Sequence, residues 1–179
     1  MASSGAVFDV TKLEWLSQHY LKAMDGRRLA ELVEPFVRAA GLTPPADLSR
    51  FVGMLDTLRE RAKTLVEMVE QGRFYFEAPA TYDAKAAPKL LTAEGARRLG
   101  LLIERLEGLP EFATAAIERV VRALTEELGL KLVDLAQLAR LAVTGRTASP
   151  PIFDVLALLG SAESLARLRR AREFAERTA

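Results

Sequence analysis

Apolar residues recur along nearly the whole chain at three- and four-residue intervals, the period of a helix with one buried face. Leu13, Leu16, Tyr20 and Leu21 mark a first helix. Asp25 is placed to cap a second, whose apolar face carries Leu29, Leu32, Val33, Phe36 and Val37. Pro35 is expected to kink or split it, and Gly41 to end it. After the Thr43-Pro44-Pro45 turn, a third helix is predicted from Asp47 towards Arg61 and a fourth from Thr64 to Gln71. Residues 77–90 hold Pro79 and Pro88 and are alanine-rich, which suits a junction between two helical halves. Beyond it, Thr92 can cap a helix carrying Leu99, Leu102, Ile103 and Leu106. Pro110 opens another, with Phe112, Ala115, Ile117, Val121, Leu124 and Leu128 as its buried positions. Two helices then flank a short loop, and a last one begins near Ser161. Strand-like alternation is almost absent, and Arg73-Phe-Tyr-Phe76 is the one aromatic run. The pattern predicts an all-α protein with no internal repeat.

The loop between Leu138 and Phe153 carries the most local chemistry. Gly145 can take the left-handed conformation that closes a helix; Ser149 suits an N-cap and Pro150 the first turn that follows. Such a corner exposes Arg146, Thr147 and backbone N–H groups beside a helix start, with Arg140 one turn back. That arrangement can hold a phosphate or an unstacked base, although helix-loop-helix corners occur in every helical protein. Arg59 and Arg61 lie two residues apart, so on a helix they point to different faces. One can be structural while the other is free, or both can be solvated or paired with Glu60 or Glu67. Trp15, the only tryptophan, is read as core. Phe74, Tyr75 and Phe76 either form a patch with Arg73 or seal a helical junction. Arg167, Arg169, Arg170 and Arg172 form the densest basic run and read as a mainly solvated face.

Composition narrows the classes. The 179 residues are 50% hydrophobic and 27% charged, typical of a soluble globular chain of one domain or two small ones. No uncharged run approaches the roughly 20 residues that span a bilayer, and the N-terminus has no signal-peptide pattern, so a cytoplasmic location is expected. With no cysteine and His19 as the only histidine, thiolate and histidine metal sites are excluded and no catalytic triad can be assembled. The 25 basic and 24 acidic residues leave a net charge of +1, low for a nucleic-acid binder. Yet all but Lys12, Lys22, Lys63, Lys85, Lys89 and Lys131 of the basic residues are arginine, whose planar fork suits base and phosphate recognition.

Four ordered stretches go further. Arg140-Leu-Ala-Val-Thr-Gly145 with Ser149-Pro-Pro-Ile-Phe-Asp-Val-Leu-Ala-Leu-Leu-Gly160 resembles the C-terminal anticodon-binding region of bacterial glutamyl-tRNA synthetases. Phe8-Asp-Val-Thr-Lys-Leu-Glu-Trp-Leu16 is similar to the start of that region, Leu58-Arg-Glu-Arg-Ala-Lys-Thr-Leu65 to its middle arginine motif, and Ser164-Leu-Ala-Arg-Leu-Arg169 to its last helix. The resemblance implies two packed helical bundles, residues 1–76 and 77–179. It implies that Arg61 reads the third anticodon base, and that Arg140, Ser149, Pro150 and Ile152 meet the first and second, with Arg146 and Thr147 beside them. Helix initiation by Ser149 and Pro150 can hold together with that role, and core packing is an equal reading of Ile152. Ser17-Gln18, Lys22 and Pro151 depart from residues common in the family.

The signature motifs of a class I nucleotide-binding half are missing, so no catalytic residue is assigned and the chain alone should not activate glutamate. ATP and magnesium would belong to the absent catalytic half. The expected function is to bind the anticodon loop of glutamate tRNA as the C-terminal part of a glutamate–tRNA ligase, as a monomer, with no DNA or membrane partner. Met1 just ahead of the first motif implies an excised domain or a stand-alone relative. Two alternatives stay open: a free-standing adaptor, and a helical interaction module without RNA contacts.

Overall fold

The computed structural model describes residues 10–178, with side chains from residue 16 onward. Leu13 and Trp15, read above as apolar helix positions, lie outside the described side chains. Among the described residues every regular element is helical. The chain divides into two compact units, residues 1–72 and 73–179.

The first unit contains α1 (Val10–Ala23), α2 (Gly26–Ala39), α3 (Leu48–Asp56) and α4 (Leu65–Gly72). Asp25 caps α2 as expected: one carboxylate oxygen accepts from the backbone N–H groups of Arg27 and Arg28, at 3.0 and 3.1 Å. The buried face of α2 is narrower than the pattern predicts. Leu29, Ala30, Val33 and Val37 are buried against α3 and α4, whereas Phe36 is exposed. Pro35 does not split the helix, which runs unbroken from Gly26 to Ala39. It lies on the exposed face, and the carbonyl it leaves without an N–H partner belongs to exposed Glu31, where solvent can satisfy it.

The third helix stops five residues short of Arg61. From Leu55 the chain tightens into turns, with Leu58 N–H donating to Leu55 O at 2.9 Å and Arg61 N–H to Leu58 O at 2.9 Å. This tightening swings Arg59 back to the end of α1. Its guanidinium donates to Leu21 O at 2.8 Å and Met24 O at 2.5 Å, and its Nε to Asp56 Oδ1 at 2.6 Å. Carbonyls at a helix C-terminus have no partner within the helix, and a cation there also meets the negative end of its dipole.

The second unit contains a 3-10 turn (Arg73–Tyr75), then α5 (Ala87–Leu90), α6 (Ala93–Glu107), α7 (Thr114–Glu127), α8 (Leu132–Thr144), α9 (Ile152–Leu159) and α10 (Ser161–Thr178). α10 packs on α6 and α8, and α7 on α9. Leu99, Leu102, Leu106, Leu124, Leu141 and Leu168 are each at most 1% exposed and form the centre of this core. Pro110 does not open α7, which begins at Thr114 and leaves Phe112 in the preceding loop. Ala115 is exposed rather than buried.

The division falls after Gly72 rather than at the expected 76/77, because the 3-10 turn belongs to the second unit. It packs on α9, and the Phe74 carbonyl accepts from Arg167 Nη1 at 2.6 Å. Arg167 overturns the reading of its run as solvated. Its side chain is 2% exposed, and the same Nη1 donates to Val143 O at 3.0 Å while Nε meets Glu163 Oε1 at 2.7 Å. Burial outweighs the Glu163 carboxylate and holds its pKa below the usual arginine value.

Two stability differences follow, both read by urea unfolding of the whole chain. Arg167→Ala removes a buried cation that satisfies two carbonyls and should cost about 3 kcal/mol, whereas exposed Arg170→Ala should change stability by less than about 0.5 kcal/mol. Asp25→Ala removes the α2 cap and should cost about 1 kcal/mol. Equal effects of Arg167→Ala and Arg170→Ala would contradict this account of the second unit.

Candidate nucleic-acid interface

In the second unit the site grows from the end of α8. Gly145 sits at φ 73°, and its N–H donates to Leu141 O at 2.8 Å. Glycine is required there twice over. The left-handed backbone disfavours any side chain, and a Cβ would lie 2.6 Å from Thr81 O and 2.7 Å from Pro79 Cβ. The segment around Pro79–Asp83 therefore lies directly on the helix end, tied by Asp83 N–H to Gly145 O at 2.9 Å. Residues 77–90, expected to be a junction, instead brace this corner. Thr144 secures the turn from within, its Oγ1 donating to Arg140 O and accepting from Arg146 N–H at 3.1 Å.

The next helix starts later than expected. α9 begins at Ile152, with Pro151 at the N-cap position. Ser149 is not a cap and Pro150 is not in the first turn. The Ser149 hydroxyl is engaged elsewhere: it accepts from Arg140 Nε at 3.0 Å and donates to Pro150 O at 2.8 Å. Arg140 Nη1 donates in turn to Gln137 Oε1 at 2.9 Å. The guanidinium plane is thus held at two points on the half-buried side of α8, across the loop.

The structure separates the sequence-predicted residues of the corner by exposure. Arg146 and Thr147 are exposed, together with Pro151; Arg140 is half-buried. Ser149, Pro150 and Ile152 are buried, Ile152 to 3% exposure, so core packing is the reading that holds for it. Gln137 was not singled out from the sequence. Its signal was its place three residues before Arg140, one turn away on the same helix face.

In the first unit the two arginines divide as their spacing allows. Arg59 is nearly buried on the α1 carbonyls, its side chain 13% exposed. Arg61 is exposed on the turn after α3, where its backbone carbonyl accepts from Gln71 Nε2 at 3.1 Å. No hydrogen bond or ion pair holds its guanidinium among the described residues. Phe74 and Tyr75 are buried and offer no aromatic platform. His19 is exposed, edge-on to Tyr20.

Elsewhere the acids are taken up locally. Arg28 pairs with Glu31, Arg38 with Glu34, and Arg122 with Glu118, all one turn apart. Hydrogen bonds from Arg97 and Arg98 hold the Glu94 carboxyl down at about 2. A net charge of +1 therefore conceals exposed cations not matched by a neighbouring acid. Among the described residues no three acidic or histidine side chains gather as a metal site, and no helix is long and apolar enough to cross a membrane.

Known proteins share both the sequence and this architecture. The chain is 41% identical over 97% of its length to the glutamate–tRNA ligase of Geotalea uraniireducens, and 40% identical over 95% to glutamate–tRNA ligase 1 of Syntrophus aciditrophicus. It spans 37% and 36% of those relatives, little more than a third. The crystal structure of a glutamate tRNA ligase from Elizabethkingia meningosepticum, in complex with its amino acid, superposes with a TM-score of 0.86 at 25% identity, over 95% of this chain and 33% of that one. The family model described as the anticodon binding domain matches residues 28–172, a stretch that includes Arg61 and the whole 137–152 corner. With its helical order and its arginine-bearing turns alike accounted for, this chain belongs to the anticodon binding domain family.

Proposed function

We propose that the chain binds the anticodon loop of glutamate tRNA as the anticodon-binding part of a glutamate–tRNA ligase, as a monomer in the cytoplasm. The observation that carries this reading is the state of Arg61. It is an exposed guanidinium without a partner among the described residues, inside the matched family region, two residues from an arginine wholly used for structure. A planar fork presented this way can make two parallel hydrogen bonds to a base edge or stack on its face.

The corner contributes in a different way. Arg140, held by Ser149 and Gln137, offers a guanidinium that loses little freedom when a base meets it. Arg146 and Thr147, exposed on the loop, suit phosphate and ribose contacts that add affinity without sequence preference. Buried Ser149, Pro150 and Ile152 support this surface from below. Activation of glutamate would need the parts of the ligase that lie beyond the matched third. The sequence carries no phosphate-binding loop, so no residue of this chain is assigned to ATP or magnesium.

A second reading, a helical interaction module without RNA contacts, draws on the near-zero net charge. Salt separates the two. RNA binding through several phosphate contacts should weaken by about tenfold or more between 50 and 200 mM salt. In the same titration, Arg61→Gln should weaken binding by about tenfold and flatten the preference among tRNAs altered at the third anticodon base. An unchanged base preference in Arg61→Gln would overturn the Arg61 assignment. Binding that ignores salt, or is absent, would favour the interaction module.

A further inference from the structure

A cavity of about 530 Å³ lies on the other side of Thr147, within the second unit, between α5, the start of α6 and the first half of α8. Its volume leaves ample room for a nucleobase. Leu90, Leu138 and Val133 give it an apolar floor, and Val133 is 56% exposed. Its wall depends on Gly95: a Cβ there would lie 2.0 Å from Leu90 O, so only glycine lets α5 close over the first turn of α6. Two acids and two bases stand around it: exposed Asp134, Glu94 and Lys89, and half-buried Arg98, whose Nε donates to Glu94 Oε1 at 2.8 Å. These charges balance, and the apolar floor is what suits an uncharged ring.

Gln137 gives this cavity a direction. Its Oε1 accepts from Arg140 Nη1, and because arginine only donates, the amide cannot turn round. The NH2 group is therefore the one left to the cavity, and no other group engages it among the described residues. A fixed donor favours a carbonyl oxygen on a base edge and leaves an amino group facing another donor.

We propose that this cavity receives one unstacked base of the bound RNA, and that the Gln137 amide, fixed by Arg140, makes it prefer a carbonyl-bearing edge over an amino-bearing one. The inference rests on the RNA-binding reading and adds a base subsite beside the corner. It links the two, since the arginine that faces the corner loop also sets the polarity of the amide in the cavity.

The test uses the whole chain and tRNA anticodon hairpins in which each loop position in turn carries uracil or cytosine, or guanine or adenine. At one position the wild type should bind the carbonyl-bearing base about tenfold more tightly. Gln137→Glu keeps the Arg140 contact but replaces the donor by an acceptor, so the preference at that position should reverse. Val133→Trp, on an exposed helix surface, should fill the cavity and erase the preference there. RNA binding that persists with the wild-type base profile in both variants would overturn the subsite and leave the RNA reading standing. Absence of salt-sensitive RNA binding by the wild type would overturn both.

Discussion

α8 has to end at Gly145. The left-handed turn and the lack of room for any side chain beneath Pro79 and Thr81 leave one residue type and one backbone geometry. The remaining features of the corner descend from that ending. Arg140 falls one turn before it, facing Ser149; Arg146 and Thr147 emerge just after it into solvent; and the chain reaches Ile152 with its side chain already in the core. Arg167 secures the same ending from the interior by donating to Val143 O, a carbonyl of the last helical turn. The corner proposed for recognition is thereby built on a helix end with little freedom to move, which would lower the entropy lost on binding.

Arginine serves two opposed purposes in this chain. Arg59 and Arg167 are spent on carbonyls that helix geometry leaves without partners, and their charge is compensated locally by Asp56 and Glu163. Arg61 and Arg146 remain at the surface, where a guanidinium can meet a base or a phosphate. Several other surface arginines, Arg28, Arg38, Arg97, Arg122 and Arg172 among them, pair with a glutamate one turn away on their own helix. Such exposed pairs contribute little to stability but cancel net charge. Overall charge is consequently a poor guide to where an exposed cation such as Arg61 stands without a neighbouring acid.

Much of this was legible in the sequence. Asp25, Thr92 and Gly41 mark helix ends through purely local chemistry, and all three stand where the pattern put them. The division of labour between Arg59 and Arg61 followed from their spacing, although which was structural needed the turn after α3 to be seen. Pro35 does not split α2 because the carbonyl it leaves without a partner lies on the exposed face. Ser149 misled because a serine before prolines reads as a cap, while here a side chain nine residues away claims its hydroxyl. Arg167 was invisible as a buried residue: its partners, Phe74 and Val143, are 93 and 24 residues distant. Gln137 had a local signal, its place one turn before Arg140, but its importance shows only once the hydrogen bond between them is seen. The pattern of failures is physical: signals confined to one helical turn were readable, and those set by tertiary partners were not.

The central claim is that the turn bearing Arg61 and the corner around Gly145 are the surfaces that meet an RNA loop. Amide hydrogen exchange of the whole chain, with and without tRNA at saturating concentration and low salt, tests it most directly. The account predicts slower exchange at residues 57–63 and 145–149 on binding, with α10 unchanged. Protection confined to other segments, or none at either place while tRNA is bound, would contradict it.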